Sequence, residues 1–293
     1  MNAATRISTS LSMIACLGVA SAADAPSRPV VLNKNLPLRS GTILREKREI
    51  RVDNGRSKQV NAKETTEVTT RYVQRVNFVR RIAGAGTEEV RVSEFMCELA
   101  HFVPVMGLVP PPNEQPSSLM SKTLRTRKSG ARWDYDLAQG KPTPDERQTL
   151  DNLAFTAGLL DVLSLCIGNE PHKPSDTWKT DIPSPRGKAA GFIVPKDISC
   201  TFVSLEDKPD GALVTVNITG GISLERPMGY NSHVEITFDA TLVRRLGDML
   251  DVDTKIKGTY TLKGEANIAG VGKTQLDFNY PYTLVRTLKI EDK

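Results

Sequence analysis

From Asp248 to Ile268, apolar and small residues fall on nearly every second position: Leu250, Val252, Ile256, Gly258, Tyr260, Leu262, Gly264, Ala266 and Ile268. Asp251, Asp253, Lys255, Lys257, Lys263 and Glu265 fill positions between them. A period of two sends successive side chains to opposite faces of a strand, so one face here is apolar and the other solvated. Val234, Ile236, Phe238, Ala240 and Leu242 alternate in the same way with Glu235, Thr237, Asp239 and Thr241, and Leu276, Phe278, Tyr280, Tyr282, Leu284, Leu288 and Ile290 continue the pattern. Short connections at 244–247 and 269–273 join the three half-buried antiparallel strands into a meander. Gly258 and Gly264 lie on the apolar face, as expected where a strand coils sharply or where the backbone of a helix passes close.

Strand follows strand earlier in the chain as well. Segments 42–52 and 57–82 flank Asp53-Asn54-Gly55-Arg56, and Asn-Gly is a strong hairpin signal. Glu88–Val92 is a further strand. Segment 93–103 is ambiguous, because Val92, Phe95, Met96, Leu99 and Val103 fit helical spacing within a β neighbourhood. The Pro-rich stretch 104–118 is a loop, and 122–127 with 131–137 form another hairpin. In the second half, 197–205, 212–219 and 222–226 read as strands, with Gly220-Gly221 as a turn between the last two.

One helix stands out. Thr143-Pro144-Asp145-Glu146 combines a hydroxyl N-cap, Pro at the first helical position and Glu at the third, which makes a capping box. Leu150, Leu153, Ala154, Ala157, Leu160, Leu163 and Ile167 recur at helical spacing before Gly168 ends the run. A helix over 144–167 would be roughly 36 Å long. Beyond Phe155 it is apolar nearly all round, with Leu159, Val162, Leu165 and Cys166 on the other face, so it needs burial on several sides.

Composition changes this picture little. The 293 residues are 39% apolar and 25% charged, with a net charge of +5, ordinary for a soluble protein. The positive residues alternate with acids, as in Arg45-Glu46-Lys47-Arg48-Glu49, which reads as a solvated strand face and gives no nucleic-acid footprint. Residues 1–22 read as a signal peptide: Arg6, an apolar run from Ile7 to Val19, then Ala20-Ser21-Ala22 as a cleavage site. The expected location is therefore periplasmic or secreted, without a transmembrane span. Anchoring as a lipoprotein through Cys16 is the less favoured alternative. Segment 23–40 would be a flexible lead-in to a β-rich domain over 41–293, with halves 41–142 and 192–293 joined by the helix and a loop at 169–191.

Candidate chemistry is sparse. Cys97, Cys166 and Cys200 contain no C-x-x-C and permit at most one disulfide, so lone, largely buried thiols are expected. Cys97 and His101 would share an ion only on a helix, because a strand would hold them about 13 Å apart. No nucleophile elbow, Walker loop or dinucleotide fingerprint occurs, and no catalytic residue, metal or cofactor is assigned.

The segment Pro171-His172-Lys173-Pro174-Ser175-Asp176-Thr177-Trp178, after an amphipathic helix and between two sets of hairpins, resembles a family of exported bacterial β-rich proteins of unknown function. Its members carry a Pro-rich stretch ending in Gly-Asp-x-Trp, and Ser175 stands here where Gly is usual. The resemblance implies a layout over about 41–290 and no activity. Trp178 then reads as a core aromatic at a strand start.

The fold expected is mainly β with one long helix, a strongly curved antiparallel sheet, half-barrel or barrel, wrapped around that helix. An outer-membrane barrel would turn its apolar face to lipid, whereas an apolar helix needs an apolar interior. The expected function is non-enzymatic binding of an apolar small molecule or lipid on the concave face, with Leu160, Leu163, Phe238, Tyr260, Phe278 and Tyr280 lining the cavity. An envelope scaffold that meets a partner protein, and a hydrolase without a recognisable motif, are the alternatives.

Overall fold

A computed structural model of the chain describes residues 29–34, 36, 38–84, 86–102, 113–129, 132–180, 193–225, 231–268 and 272–291. Strands β1 (Val30–Val31), β2 (Ile43–Val60), β3 (Thr65–Gly84), β4 (Thr87–Phe102), β5 (Asn113–Pro116), β6 (Thr123–Ser129) and β7 (Arg132–Leu137) precede helix α1 (Pro144–Cys166). After it come β8 (Pro171–His172), β9 (Thr177–Lys179), β10 (Ile193–Glu206), β11 (Leu213–Glu225), β12 (Asn231–Arg245), β13 (Leu250–Ile268) and β14 (Gly272–Ile290). Twelve strands form one antiparallel sheet in the order β7-β6-β4-β3-β2-β14-β13-β12-β11-β10-β9, with β5 paired to β4. Among the described residues β7 and β9 remain as free edges, so the sheet is an open, curved one that packs around the helix. Within this sheet the strands before the helix meet those after it along the seam of β2 against β14.

The helix begins as its local chemistry dictates. The Thr143 hydroxyl accepts from the Glu146 N–H at 3.3 Å, and the Glu146 carboxylate accepts from the Thr143 N–H at 2.9 Å. Leu150, Leu153 and Ala157 pack with Val76, Phe78, Val90, Val92, Phe95 and Leu124. Leu159, Leu160, Val162, Leu163 and Cys166 pack with the inward residues of β10 to β14. A single helix thus fills both halves of the concave face, and burying each leucine stabilises the fold by roughly 1.5–3 kcal/mol. Its length and composition would suit a membrane span, but most of its apolar surface faces the sheet. Phe155 and Leu165, 43% and 47% exposed, point outward, so it is buried on all but one stripe.

Several local expectations are overturned. Asp53-Asn54-Gly55-Arg56 is no hairpin: β2 runs straight through it, and the turn lies at Asn61–Glu64, where the Asn61 side chain accepts from the Lys63 and Glu64 amides. Pairing on both sides of β2 is interrupted there, a bulge opposite Tyr280 and Pro281. Glycine is needed because a Cβ at residue 55 would lie 2.5 Å from the Tyr280 ring. Gly220-Gly221 likewise sits inside β11 and makes no turn. Gly220, at φ 147°, lets β10 approach so closely that a Cβ would stand 2.8 Å from the Ile198 Cα.

The ambiguous segment 93–103 is strand as far as Phe102. A bulge at Ser93, which pairs with nothing between Asn77 and Phe78, turns both Val92 and Phe95 inward and mimics a helical step of three. The two segments expected as loops carry short strands, β5 within 104–118 and β8 and β9 within 169–191. The lead-in segment is docked where it is described: β1 pairs with β8, and Leu32 is completely buried. Ser175 has φ 75°, a region glycine enters without strain, and Trp178 pairs with Cys200 and stacks on His172 at 3.6 Å.

The apolar parity of β13 points inward, since Ile256 and Ala266 are buried while Lys255, Lys257 and Lys263 are exposed. A Cβ on Gly258 would lie 2.0 Å from the Thr237 carbonyl oxygen and 3.0 Å from the Tyr282 ring. The close neighbour is therefore the adjacent strand and an aromatic, not the helix backbone. Gly258→Val is expected to lower stability by about 3 kcal/mol through overpacking, and Lys257→Val by less than about 0.5 kcal/mol. Equal melting temperatures for the two variants would refute the inward assignment.

Candidate functional site

Inward parity on β2 runs through Leu44, Glu46, Arg48, Ile50 and Val52, so two charged residues face the concave side between apolar ones. On β14, Arg286 lies between Leu284 and Leu288 on the same face, and register places it directly opposite Arg48. Glu46 and Arg48 are 1% and 5% exposed. The solvated face expected for Arg45–Glu49 is thus only half right: Arg45 is solvated, whereas Glu46 and Arg48 are buried.

Three guanidinium groups converge on Glu46. Arg48 donates to Oε1 through Nη2 at 2.5 Å and Nε at 3.1 Å, Arg80 from β3 reaches Oε2, and Arg286 Nε stands 3.3 Å from Oε1. Arg80 also makes a two-pronged pair with Glu88 of β4, 2.8 Å on each arm. Burial pushes the Glu46 pKa up, but Arg286, Arg48 and Arg80 together outweigh it and hold the carboxyl well below the usual range.

A cavity of about 330 Å³ lies beside this cluster, between the middle of α1 and the central strands. Leu36, Leu38, Ile82, Leu160, Leu250 and Leu288 form its apolar wall, and Arg48, Arg80, Arg286 and Lys128 its cationic one. The acids on the lining are each engaged. Asp161 accepts from Lys128 at 2.6 Å and from the Trp133 indole at 2.7 Å. Asp251 takes both arms of buried Arg244, which also donates to the Leu32 carbonyl and the Ser164 hydroxyl. Asp248 pairs with Arg245 at 2.6 Å.

The six residues expected to line one apolar cavity are dispersed. Leu160 lines the cavity, and Leu163 and Phe238 sit in the core packed by the second half of α1. Tyr260, Phe278 and Tyr280 form a half-buried row on the concave face, with Tyr280 5.8 Å from Phe278 and 6.3 Å from Tyr260 by ring centroids. That row lies several registers along β14 from Arg286, toward the other end of the sheet. Arg48, Arg80, Arg286 and Glu46 escaped notice because alternating charges read as solvated. Parity was the available signal, since Leu44, Ile50 and Val52 already marked positions 46 and 48 as inward.

Two thiols meet behind the helix. Cys200 lies under the C-terminus of α1, with its sulfur 3.3 Å from the Cys166 carbonyl oxygen. Burial pushes the Cys200 pKa up to about 12 and that of Cys166 higher still, and among the described residues the three thiols are free. Both are inert packing residues at neutral pH.

Because the folded-state pKa of Glu46 is lowered, its contribution is present above the ordinary glutamate value and is lost as pH falls through the folded value. Glu46→Gln removes the shared carboxylate from three guanidiniums and is expected to cost about 3–5 kcal/mol near neutral pH. Melting temperatures measured down the acid limb should show the gap between variant and wild type narrowing below the ordinary glutamate value. A gap that stays constant would mean that Glu46 is not charged in the folded protein.

No family model and no curated protein matches this sequence. Among solved structures, the chain is similar to a lipovitellin structure concerned with lipid–protein interactions, at 8% identity and a TM-score of 0.38, covering 87% of this chain and 26% of that one. It is also similar to an outer membrane channel from Pseudomonas putida F1, at 8% identity and a TM-score of 0.26, covering 87% of this chain and 97% of that one. Neither likeness carries a ligand or an activity across to this chain.

Proposed function

We propose that this is an exported, non-enzymatic binding protein that holds an apolar or amphiphilic small molecule between its helix and the concave face of its sheet. The observation that carries this reading is the cavity beside α1, whose wall of Leu36, Leu38, Ile82, Leu160, Leu250 and Leu288 stays unfilled at about 330 Å³. The cavity is a cleft partly open to solvent, with Leu36 at its exposed rim, so a molecule can enter it. A space of this size belongs to the range of small-molecule sites, roughly 300–1,000 Å³. Export is supported by the run from Ile7 to Val19 followed by Ala20-Ser21-Ala22.

Solvent extraction of the purified protein followed by mass spectrometry is expected to recover an apolar or amphiphilic molecule. The emptied protein should bind a fluorescent apolar probe such as N-phenylnaphthylamine. Leu160→Trp from the helix and Leu250→Trp from the sheet both fill the cavity and should weaken probe binding at least tenfold. Leu165→Trp, on the exposed stripe of the helix, should leave it unchanged. No extracted molecule and no probe binding by a folded wild type would sink the reading.

A further inference from the structure

Four acid–base pairings around the cavity balance unevenly. Lys128 with Asp161, Arg244 with Asp251 and Arg245 with Asp248 are matched one to one. Arg48, Arg80 and Arg286 share only Glu46 and Glu88, three guanidiniums against two carboxylates. Among the described residues no other carboxylate pairs with Arg48 or Arg286. Those two arginines stand directly opposite each other across β2 and β14 on the inward face, an arrangement that like charges disfavour. The Arg48 side chain is only 3% exposed, yet its Nη1 has no hydrogen-bond partner. Arg286 is engaged on two sides, with Nε 3.3 Å from Glu46 Oε1 and Nη1 donating to the Asp251 carbonyl at 3.4 Å, and its second terminal nitrogen is left for a ligand. Both side chains line the cavity.

An uncompensated buried cation is costly, and a buried donor left unpaired adds roughly 1–3 kcal/mol. A guanidinium presents its donors in a planar fork that suits an oxyanion. We propose that the cavity recognises a single negatively charged oxyanion, a carboxylate or a phosphate, held between Arg48 and Arg286. This deepens the binding reading given above and rests on it where the oxyanion is the head of an amphiphile. The head would neutralise the surplus charge, and the wall formed by Leu36, Leu38, Leu160 and Leu288 would receive the apolar part. The paired acids Asp161 and Asp251 set the boundary, since their charges repel an oxyanion from the remainder of the lining.

The test compares decanoate, decanol and inorganic phosphate on the full chain by calorimetry or by competition with the fluorescent probe. Decanoate is expected to bind at least tenfold more tightly than decanol, and Arg286→Gln should abolish that preference. Arg48→Gln, from the more deeply buried side, should do the same if it folds, and the partly accessible Arg286 variant keeps the test decisive if it does not. Equal binding of decanoate and decanol, together with no binding of phosphate, would overturn the oxyanion site and leave the apolar reading standing. Binding of phosphate without either amphiphile would support the oxyanion site and overturn the apolar reading. A decanoate preference that survives Arg286→Gln would show that these arginines do not make the site.

Discussion

The shape of this protein depends on one carboxylate. Glu46 lies on the inward face of β2, and the arginines around it come from β2, β3 and β14. In the large sheet the seam where strands preceding the helix meet strands following it is β2 against β14, so Glu46 and Arg286 add an ion pair there to the ladder hydrogen bonds. Without the carboxylate, Arg48 and Arg286 would oppose each other at cross-strand distance with no anion between them. Two apolar cores then become possible on either side of the same ionic centre, one around the first half of α1 and one around its second half.

Curvature is the second constraint, and glycine positions express it. Gly258, Gly220 and Gly55 each stand where another backbone or a tyrosine ring occupies the space a side chain would need. Bulges in β2, β4 and β10 add local twist at the same time. A sheet of long strands that coils this much can envelop a single helix from several sides, which is why a helix apolar over most of its circumference is stable here.

Legibility in the sequence followed the range of the interaction. The helix was readable to within a residue because its capping box, its apolar spacing and Gly168 are all local. The meander of β12 to β14 was readable for the same reason, its period of two holding except near Val252, where a register shift turns Asp251 toward Arg244. Asn54-Gly55 and Gly220-Gly221 were misread because their glycines answer to Tyr280 and Ile198, residues far away in sequence. Segment 93–103 was undecidable because one bulge residue, Ser93, shifts the parity of its strand. For the site, Leu160 was foreseen as a lining residue, while Arg48, Arg80 and Arg286 were not. Charged residues at inward positions are rare enough that alternation suggests solvent first.

A purely structural role would not require this cluster to be ionic. Replacing a buried ion pair or triad with well-packed apolar residues is often neutral or even stabilising, and Leu44, Ile50, Leu284 and Leu288 show that the neighbouring inward positions are already filled by such residues. The charges therefore persist at a place where folding alone would favour leucine. They also persist unbalanced, with a buried, unpartnered donor on Arg48, a residue that lines the cavity. Matched pairs line the rest of that cavity, so the imbalance is confined to the one spot where two arginines face each other. Polarity at a single point and leucine across the opposite wall are what a site needs in order to fix the orientation of a molecule with one charged end, and paired strands on both sides of the seam hold that point in place.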